Sequence, residues 1–318
     1  MRNRIIVTGG SGFIGTNIIE FYKNKCEVLN IDIVPPRNKN HNIYWKEIDI
    51  LNKEQLIEIF LSFKPDYVLH MAAKTDLDGI TLTDYDANIK GVENVIEAIN
   101  NTLSIKKIIF ASSRLVCEIG YEPKDETDYK PSTIYGESKI IGEKLIRKAN
   151  IKNADWIIVR PTSLWGPWFG IPYKNFFDSI EKQFYFHPKG KKIYKKFGFV
   201  LNSVHILDVL LIDQNLNSKT IYLSDFKELE VKTWADIISK HFHGKKVKQI
   251  PYFILKLVSL CGDLLKKFGY KNPPLTSFRF NNLTTQMYFD TIEVENIVKK
   301  LPYNLEQGTK ITCEWLKK

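Results

Sequence analysis

The stretch "RIIVTGGSGFIG", residues 4–15, restricts the fold of this chain more than any other. A short apolar run leads into a glycine turn and then directly into the helical pattern "GFIGTNIIEFYKN" (12–24). A strand that turns into a helix in this way presents backbone amides at a helix N-terminus, where they and the helix dipole favour an anion. Gly9, Gly12 and Gly15 recur at every third position, and Gly10-x-Gly12-x-x-Gly15 also fits the dinucleotide fingerprint. The glycines are needed because a pyrophosphate must come close to bare backbone. Asp32 closes the next candidate strand, 17 positions after Gly15, where its carboxylate can accept hydrogen bonds from both ribose hydroxyls. That carboxylate repels a 2′-phosphate, so NAD is expected rather than NADP; Arg37 is the one nearby group suited to NADP.

The rest of the first half alternates in the same manner. Strands are predicted over 4–10, 26–33, 43–50, 66–73, 106–113 and 155–163, and helices over 12–24, 53–63, 88–100 and from Pro131 to about Asn150. Continuous apolar strands between amphipathic helices imply a parallel sheet covered on both faces. The expected fold class is therefore α/β: a doubly wound Rossmann-type parallel sheet over 1–165 with a smaller C-terminal substrate-binding lobe over 166–318, part of 199–225 returning to the sheet. Such sheets bind ligands beyond the carboxyl ends of their strands. Asp49 and Ile50 end the third candidate strand, where an adenine can rest; Asp49 alone reads equally well as a surface turn.

"STIYGESK" (132–139) follows Pro131 and resembles a helix entry, with Ser132 or Thr133 as cap. Tyr135 and Lys139, four apart, share a helix face. Their spacing alone fits a solvated pair as readily as a reactive one. The chain's net charge of +10 suits an anionic partner. Its lysines form only modest clusters at 188–196 and 243–248, without a nucleic-acid-binding signature, so no nucleic acid is expected. Cys26, Cys117, Cys261 and Cys313 lie far apart and read as reduced thiols of a cytoplasmic protein. With the first strand starting a few residues after Met1, no signal peptide is expected, and the sequons at Asn100 and Asn282 are expected to be unmodified. No apolar run approaches the ~18 residues of a membrane span, and no metal site is expected.

Taken together, "TGGSGFIG", Asp32, "DI" at 49–50, "HMAA" at 70–73, Asn88, "SS" at 112–113, Tyr135-x-x-x-Lys139 and "RPTSLWGP" at 160–167 resemble an extended short-chain dehydrogenase/reductase of the NAD-dependent epimerase/dehydratase group. The likeness extends through "SVHILDVL" (203–210), where the family has a strand and a helix start, and through "RFNNLTTQMYFDTIEVENIV" (279–298) and "LPYNLEQG". It implies Ser113, Tyr135 and Lys139 as catalytic residues. It implies cofactor contacts from Gly9, Gly12, Phe13, Ile14, Gly15, Asp32, Asp49, Ile50, Met71, Ala72, Ala73, Asn88 and Pro161, besides Tyr135 and Lys139. Substrate contacts implied are Thr75, Ser113, Arg114, Ser163, Asn175 and Arg279. Asn175 reads also as a helix cap and Arg279 as a surface ion pair. The physical basis is that tyrosine, with an ordinary pKa near 10, becomes a usable base only where positive charge stabilises its phenolate. A homodimer built through two helices is implied as well.

Arg114 and Leu115 then narrow the chemistry. Related dehydratases carry Asp-Glu at these two positions, and related decarboxylases keep a glutamate at the second; neither elimination nor decarboxylation is expected here. The expected activity is NAD-dependent 4-epimerisation of a nucleotide-linked sugar for surface polysaccharide of O-antigen type, through a transient 4-keto sugar. A keto-sugar reductase is the alternative, and a non-catalytic cofactor-binding protein a further one. Ser163 replaces a common asparagine and Cys117 a common tyrosine. His70 and His205 are expected to be packed histidines at strand ends. Finally, "IPYFILKLVSLCGDLLKKFGYK" (250–271) is amphipathic. It reads as a helix packed on the second lobe, or as a basic amphipathic helix in peripheral contact with a membrane, which would suit a sugar carried on a polyprenyl diphosphate.

Overall fold

The computed structural model describes residues 2–270, 273 and 275–318. Its centre is a seven-stranded parallel sheet built from β1 (Arg4–Thr8), β2 (Glu27–Asp32), β3 (Trp45–Glu47), β4 (Tyr67–His70), β5 (Lys107–Ala111), β6 (Asp155–Pro161) and β7 (Lys219–Leu223), in the order β7-β6-β5-β4-β1-β2-β3. Side chains alternate across a strand, and here each alternate set enters a different core. Ile5, Val7, Leu69, Ile109, Ile157 and Val159 face α1 (Phe13–Tyr22) and α6 (Val200–Ile212). Ile6, Val68, Ile108, Phe110 and Ile158 face α2 (Lys53–Phe63), α3 (Asp86–Asn100) and α4 (Ile134–Lys148). Burial on both faces explains why the strands read as unbroken apolar runs. Each fully buried branched side chain contributes about 1.5–3 kcal/mol of transfer free energy.

After β1 the chain moves outward to β2 and β3, then returns to place β4 on the other side of β1. The strand order therefore reverses between β1 and β4, which pair up to Thr8 and His70, and the loops that follow them leave in opposite directions along the sheet. The remaining helices are α5 (Tyr173–Glu181), α7 (Val231–His243), α8 (Tyr252–Lys267), α9 (Ser277–Thr284), α10 (Ile292–Val298) and α11 (Leu305–Leu316); α10 packs on α6 and β7, with Val294 and Val298 in the sheet core, and the others build a smaller second lobe. Its core is aromatic: Trp165 lies 4.9 Å from Phe199 and 5.0 Å from Trp234, ring centre to ring centre. On α11, Gly308 lets the helix press against this cluster, since a Cβ there would come within 3.0 Å of both Phe199 and Trp165.

Three expectations change. The strand expected over 43–50 is confined to Trp45–Glu47, because β2 offers pairing only from Asn30 to Asp32; Ile48 and Ile50 then turn into the core. "SVHILDVL" contains no strand and lies wholly in α6. That helix is enclosed nearly all round, so its apolar residues lack a polar stripe and mimic a buried strand in sequence. The segment that does return to the sheet is β7, with Ile221 opposite Val159. His205 consequently sits half-buried in the middle of α6 rather than at a strand end.

His70 ends β4, fully enclosed, with its Nδ1 2.7 Å from the Thr8 hydroxyl and its ring edge-on to Phe110. Burial, helped by the Lys139 ammonium, brings its pKa down to about 3. The unfolded chain binds a proton at His70 below about pH 6.5, whereas the folded chain does not. Its stabilising contribution is therefore complete above that pH and is lost as pH falls towards 3, at up to about 1.4 kcal/mol per pH unit. Urea unfolding across pH 4–7 should show this slope, and His70→Gln should flatten it.

Candidate active site

At the end of β1 the backbone enters the left-handed region at Gly9, φ +70°. A Cβ there would stand 2.5 Å from the Ala72 amide nitrogen, so the glycine turn and the segment after β4 meet backbone to backbone. Gly15 is equally confined: its Cβ would be 2.3 Å from the Gly9 carbonyl. Gly12 differs. It precedes α1 with ordinary dihedrals, and a Cβ would meet only the Gly9 carbonyl, at 3.2 Å. No side chain caps α1, and no acid lies in its first turn. The amides of Phe13 and Ile14 thus begin a helix whose N-terminus is suited to an anion, and Gly12 leaves that end bare.

Asp32 closes β2 beside this turn. Its Oδ2 accepts from the Ser11 amide at 3.0 Å and its Oδ1 from the Val34 amide at 3.1 Å. Burial raises its pKa above the ordinary carboxyl value, against those hydrogen bonds. Arg37 is turned elsewhere, donating to the Trp168 carbonyl at 2.7 Å. On the other side of the crevice, the Met71 amide donates to the Thr8 carbonyl and the Ala72 amide to the Thr8 hydroxyl, which leads Ala73 along the rim.

Several expected ligand residues have other work. Asn88 bonds the Lys74 amide and carbonyl and the Ser138 hydroxyl, each at 2.9 Å, and so braces this loop against α3 and α4. Asp49 accepts from the Leu51 amide in an exposed turn, and Ile50 is buried against Gly91. Thr75 is exposed. Ser163 accepts from the Tyr173 hydroxyl, and Pro161 ends β6. Asn175 is exposed inside α5, whose cap position belongs to Pro172. Arg279 donates to the Pro273 carbonyl at 2.9 Å. None of these last three side chains hydrogen-bonds Ser113, Tyr135 or Lys139.

Ser113, Tyr135 and Lys139 do come together, at the carboxyl end of β5. Thr133 caps α4 by accepting from the Gly136 amide at 3.0 Å, which sets Tyr135 in the first turn and Lys139 one turn on. All three side chains are buried. Burial pushes the Tyr135 phenol up to about 12, while the Ser113 hydroxyl favours its phenolate. Lys139 donates to the Ala111 carbonyl at 2.7 Å, and burial brings it down to about 8 against the pull of Glu143. In the protein alone desolvation of Tyr135 outweighs the Ser113 hydrogen bond and the Arg114 charge, and the Lys139 ammonium is engaged by a backbone carbonyl.

Two groups escaped the sequence reading. Glu143, one further turn along α4, forms a buried pair with Arg160 at 2.8 and 2.7 Å and accepts from Ser112 at 2.6 Å and Tyr129 at 2.9 Å. It fastens the residue before Ser113 to the helix that carries Tyr135 and Lys139. The four-residue repeat Tyr135, Lys139, Glu143 was the available signal. Lys195 is also buried, donates to the Asn282 carbonyl at 2.6 Å and is brought down to about 8 by burial and by Arg114. Arg114 itself borders a cavity of about 290 Å³ whose other walls include Cys117, Tyr222, Met287 and Phe289. A serine hydroxyl and a phenol held together beside a buried ammonium can move a proton to and from a hydroxyl. Among the described residues no group of three or more metal-ligating side chains is assembled.

Residues 5–183 match the NAD dependent epimerase/dehydratase family. The chain is 24% identical, over 99% of its length and 96% of the relative's, to the N-acetyl-alpha-D-glucosaminyl-diphospho-ditrans,octacis-undecaprenol 4-epimerase of Escherichia coli O157:H7. It is 25% identical to a putative UDP-glucose 4-epimerase of Methanocaldococcus jannaschii, over 98% of both chains. In fold it resembles Bordetella bronchiseptica WbmG, solved in complex with NAD and UDP, with a TM-score of 0.75 and 19% identity over 100% of this chain and 94% of that one. The corresponding values for the UDP-glucose 4-epimerase of Thermotoga maritima, solved with UDP-glucose, are 0.74 and 18% over 99% and 98%.

The buried pair generates a test. Glu143→Gln keeps the shape but leaves Arg160 charged and unpaired, a loss of about 3–5 kcal/mol measurable by denaturant unfolding. Removing the carboxylate should also move the Lys139 pKa further down, since Glu143 is what raises it.

Proposed function

The chain belongs to the NAD dependent epimerase/dehydratase family, a group of extended short-chain dehydrogenase/reductase enzymes, and we propose that within it this protein is a 4-epimerase of a sugar carried on a diphosphate. One observation carries the reading: Ser113 and Tyr135 stand together at the end of β5, and the residues that follow Ser113 are Arg114 and Leu115, which can neither remove a C5 proton nor expel a hydroxyl. Without acid–base partners for elimination, reversible oxidation at one hydroxyl-bearing carbon remains.

Gly12, Phe13, Ile14 and Gly15 would hold the pyrophosphate of NAD and Asp32 its adenosine ribose; Arg37, bound to Trp168, supports NAD over NADP. Bound NAD would supply a reversible hydride acceptor. In this reading Tyr135 takes the proton of the sugar hydroxyl as it becomes a ketone and returns it after the sugar has turned. Ser113 holds the substrate oxygen at hydrogen-bond distance. Lys139 contributes fixed positive charge below about pH 8 and anchors α4 to β5. Because the phenol stands at about 12 in the protein alone, the positive charge that makes it a base must come in part with the cofactor.

The carrier is read first as a nucleotide, the substrate class of several relatives, with surface polysaccharide synthesis as the setting and a homodimer as the working form. A polyprenyl carrier is the second reading, favoured by the Escherichia coli relative and by the exposed apolar helix described below. A cytoplasmic location is supported by four free thiols, Cys261 being exposed. No helix among the described residues is long and apolar enough to cross a membrane.

Denaturing the purified protein and analysing what it releases is the direct test: stoichiometric NAD supports the epimerase, whereas an empty or NADPH-binding site favours a keto-sugar reductase. Tyr135→Phe should lower kcat by about 10²–10⁴-fold while NAD remains bound; unchanged turnover defeats the mechanism. Gly12→Ala should still fold, with its melting temperature lowered slightly because the new Cβ would stand 3.2 Å from the Gly9 carbonyl, yet release its NAD during gel filtration.

A further inference from the structure

Helix α8 is built inside out. Leu255, Ser259 and Gly262 lie on its buried side, two of the three among the smallest residues available. Gly262 lies so close to the Leu275 carbonyl that no Cβ fits between them, and Asp263 accepts from the Ser277 amide at 3.1 Å, at the start of α9. These contacts fix the rotation of the helix and aim its large apolar residues outward. Phe253, Leu257, Leu260, Leu264 and Phe268 follow one another at helical spacing down a single exposed line, with exposures of 52% to 81%. A second apolar row runs beside it, and the stripe covers the full helix, about 24 Å at 1.5 Å per residue. A monomeric soluble protein rarely leaves so continuous an apolar strip in water.

The charge around the strip selects the occupant. Between residues 244 and 279 the sequence has eight basic residues and a single acid, Asp263, which is turned inward. Lys256 and Lys267 are exposed beside the first row, Lys266 lies farther round the helix, and the Lys191 ammonium is 5.1 Å from the Tyr252 ring at the helix start. Two copies of this chain meeting through the strip would oppose like charges with no acids to answer them. An anionic lipid surface answers them at every point, and its acyl region takes the apolar stripe.

We propose that α8 lies in the interface of an anionic membrane, with Phe253, Leu257, Leu260, Leu264 and Phe268 entering the acyl boundary and the flanking lysines meeting lipid phosphates. The attachment is independent of whether the substrate's carrier is a nucleotide or a lipid. It also bears on the site, because α9, packed against α8, carries the Asn282 carbonyl that holds Lys195. Docking therefore places the Arg114–Lys195 wall of the crevice near the membrane side of the molecule.

The test is co-sedimentation of the full chain with vesicles of phosphatidylcholine containing one-quarter phosphatidylglycerol, at low salt. The wild type should pellet with them, bind pure phosphatidylcholine far less, and weaken as salt rises. Leu257→Glu/Leu264→Glu should cut the bound fraction at least about tenfold, with its melting temperature and its turnover of a soluble nucleotide-sugar unchanged. Failure of the wild type to pellet overturns the proposal, as does a double variant that pellets equally well. So does a double variant that turns a dimer into a monomer when the wild type ignores vesicles, which would assign the strip to a second copy. Epimerase activity is read separately, so its absence leaves the vesicle result standing.

Discussion

The molecule depends on the closeness of two backbones. Gly9 and Ala72 approach so nearly that no Cβ fits between them, and the Thr8 hydroxyl ties the same spot by accepting from the Ala72 amide and meeting His70. This knot sits where the strand order reverses, between β1 and β4. It fixes the floor of the crevice, the start of α1 and the path of the segment that Asn88 braces above it. A left-handed φ at Gly9 is the conformational cost of the crossing, and only glycine meets it without strain. The uncapped helix end is thus a by-product of sheet closure.

A second, more expensive device holds the reactive side chains. Glu143 and Arg160 are both enclosed, and enclosed ion pairs gain little stability over apolar residues of equal size. Their use here is positional. Ser112, Tyr129, the Glu126 carbonyl and the Tyr222 ring gather on the pair, so that β5, β6, α4 and the loop before α4 share one anchor. Ser113 follows Ser112 directly, and Tyr135 and Lys139 precede Glu143 on the same helix face. Precise mutual placement of a hydroxyl, a phenol and an ammonium then needs no direct contact between the last two.

What sequence reasoning captured was local. Gly9, Gly12, Gly15 and Asp32 lie within one βαβ unit, and Tyr135 and Lys139 within one helical turn, so spacing alone brings them together. Glu143 and Lys195 were missed because their partners, Arg160 and Ser112 for the one and the Asn282 carbonyl for the other, are distant in the chain, and only the completed fold shows that each is buried beside them. Asn88 carries a bracing role that its spacing did not announce, joining Lys74 and Ser138 across the loop. Helix α6 was misread in part because a helix enclosed on every side loses the polar stripe that distinguishes it from a strand. In α8 the periodicity was plain but its direction was not. Hydrophobic spacing states that two faces differ; the packing of Gly262 decides which one meets water.

Lys195 and Arg114 lend the crevice a thermodynamic character of its own. Among the described residues no carboxylate is hydrogen-bonded to either cation, and burial together with mutual repulsion draws the lysine down to about 8. Holding Lys195 protonated in the folded chain is therefore opposed by its surroundings, and folding stability falls as pH drops from the lysine's ordinary range near 10.5 through about 8. An anion that paired with both cations would offset that cost and link its own binding to folding.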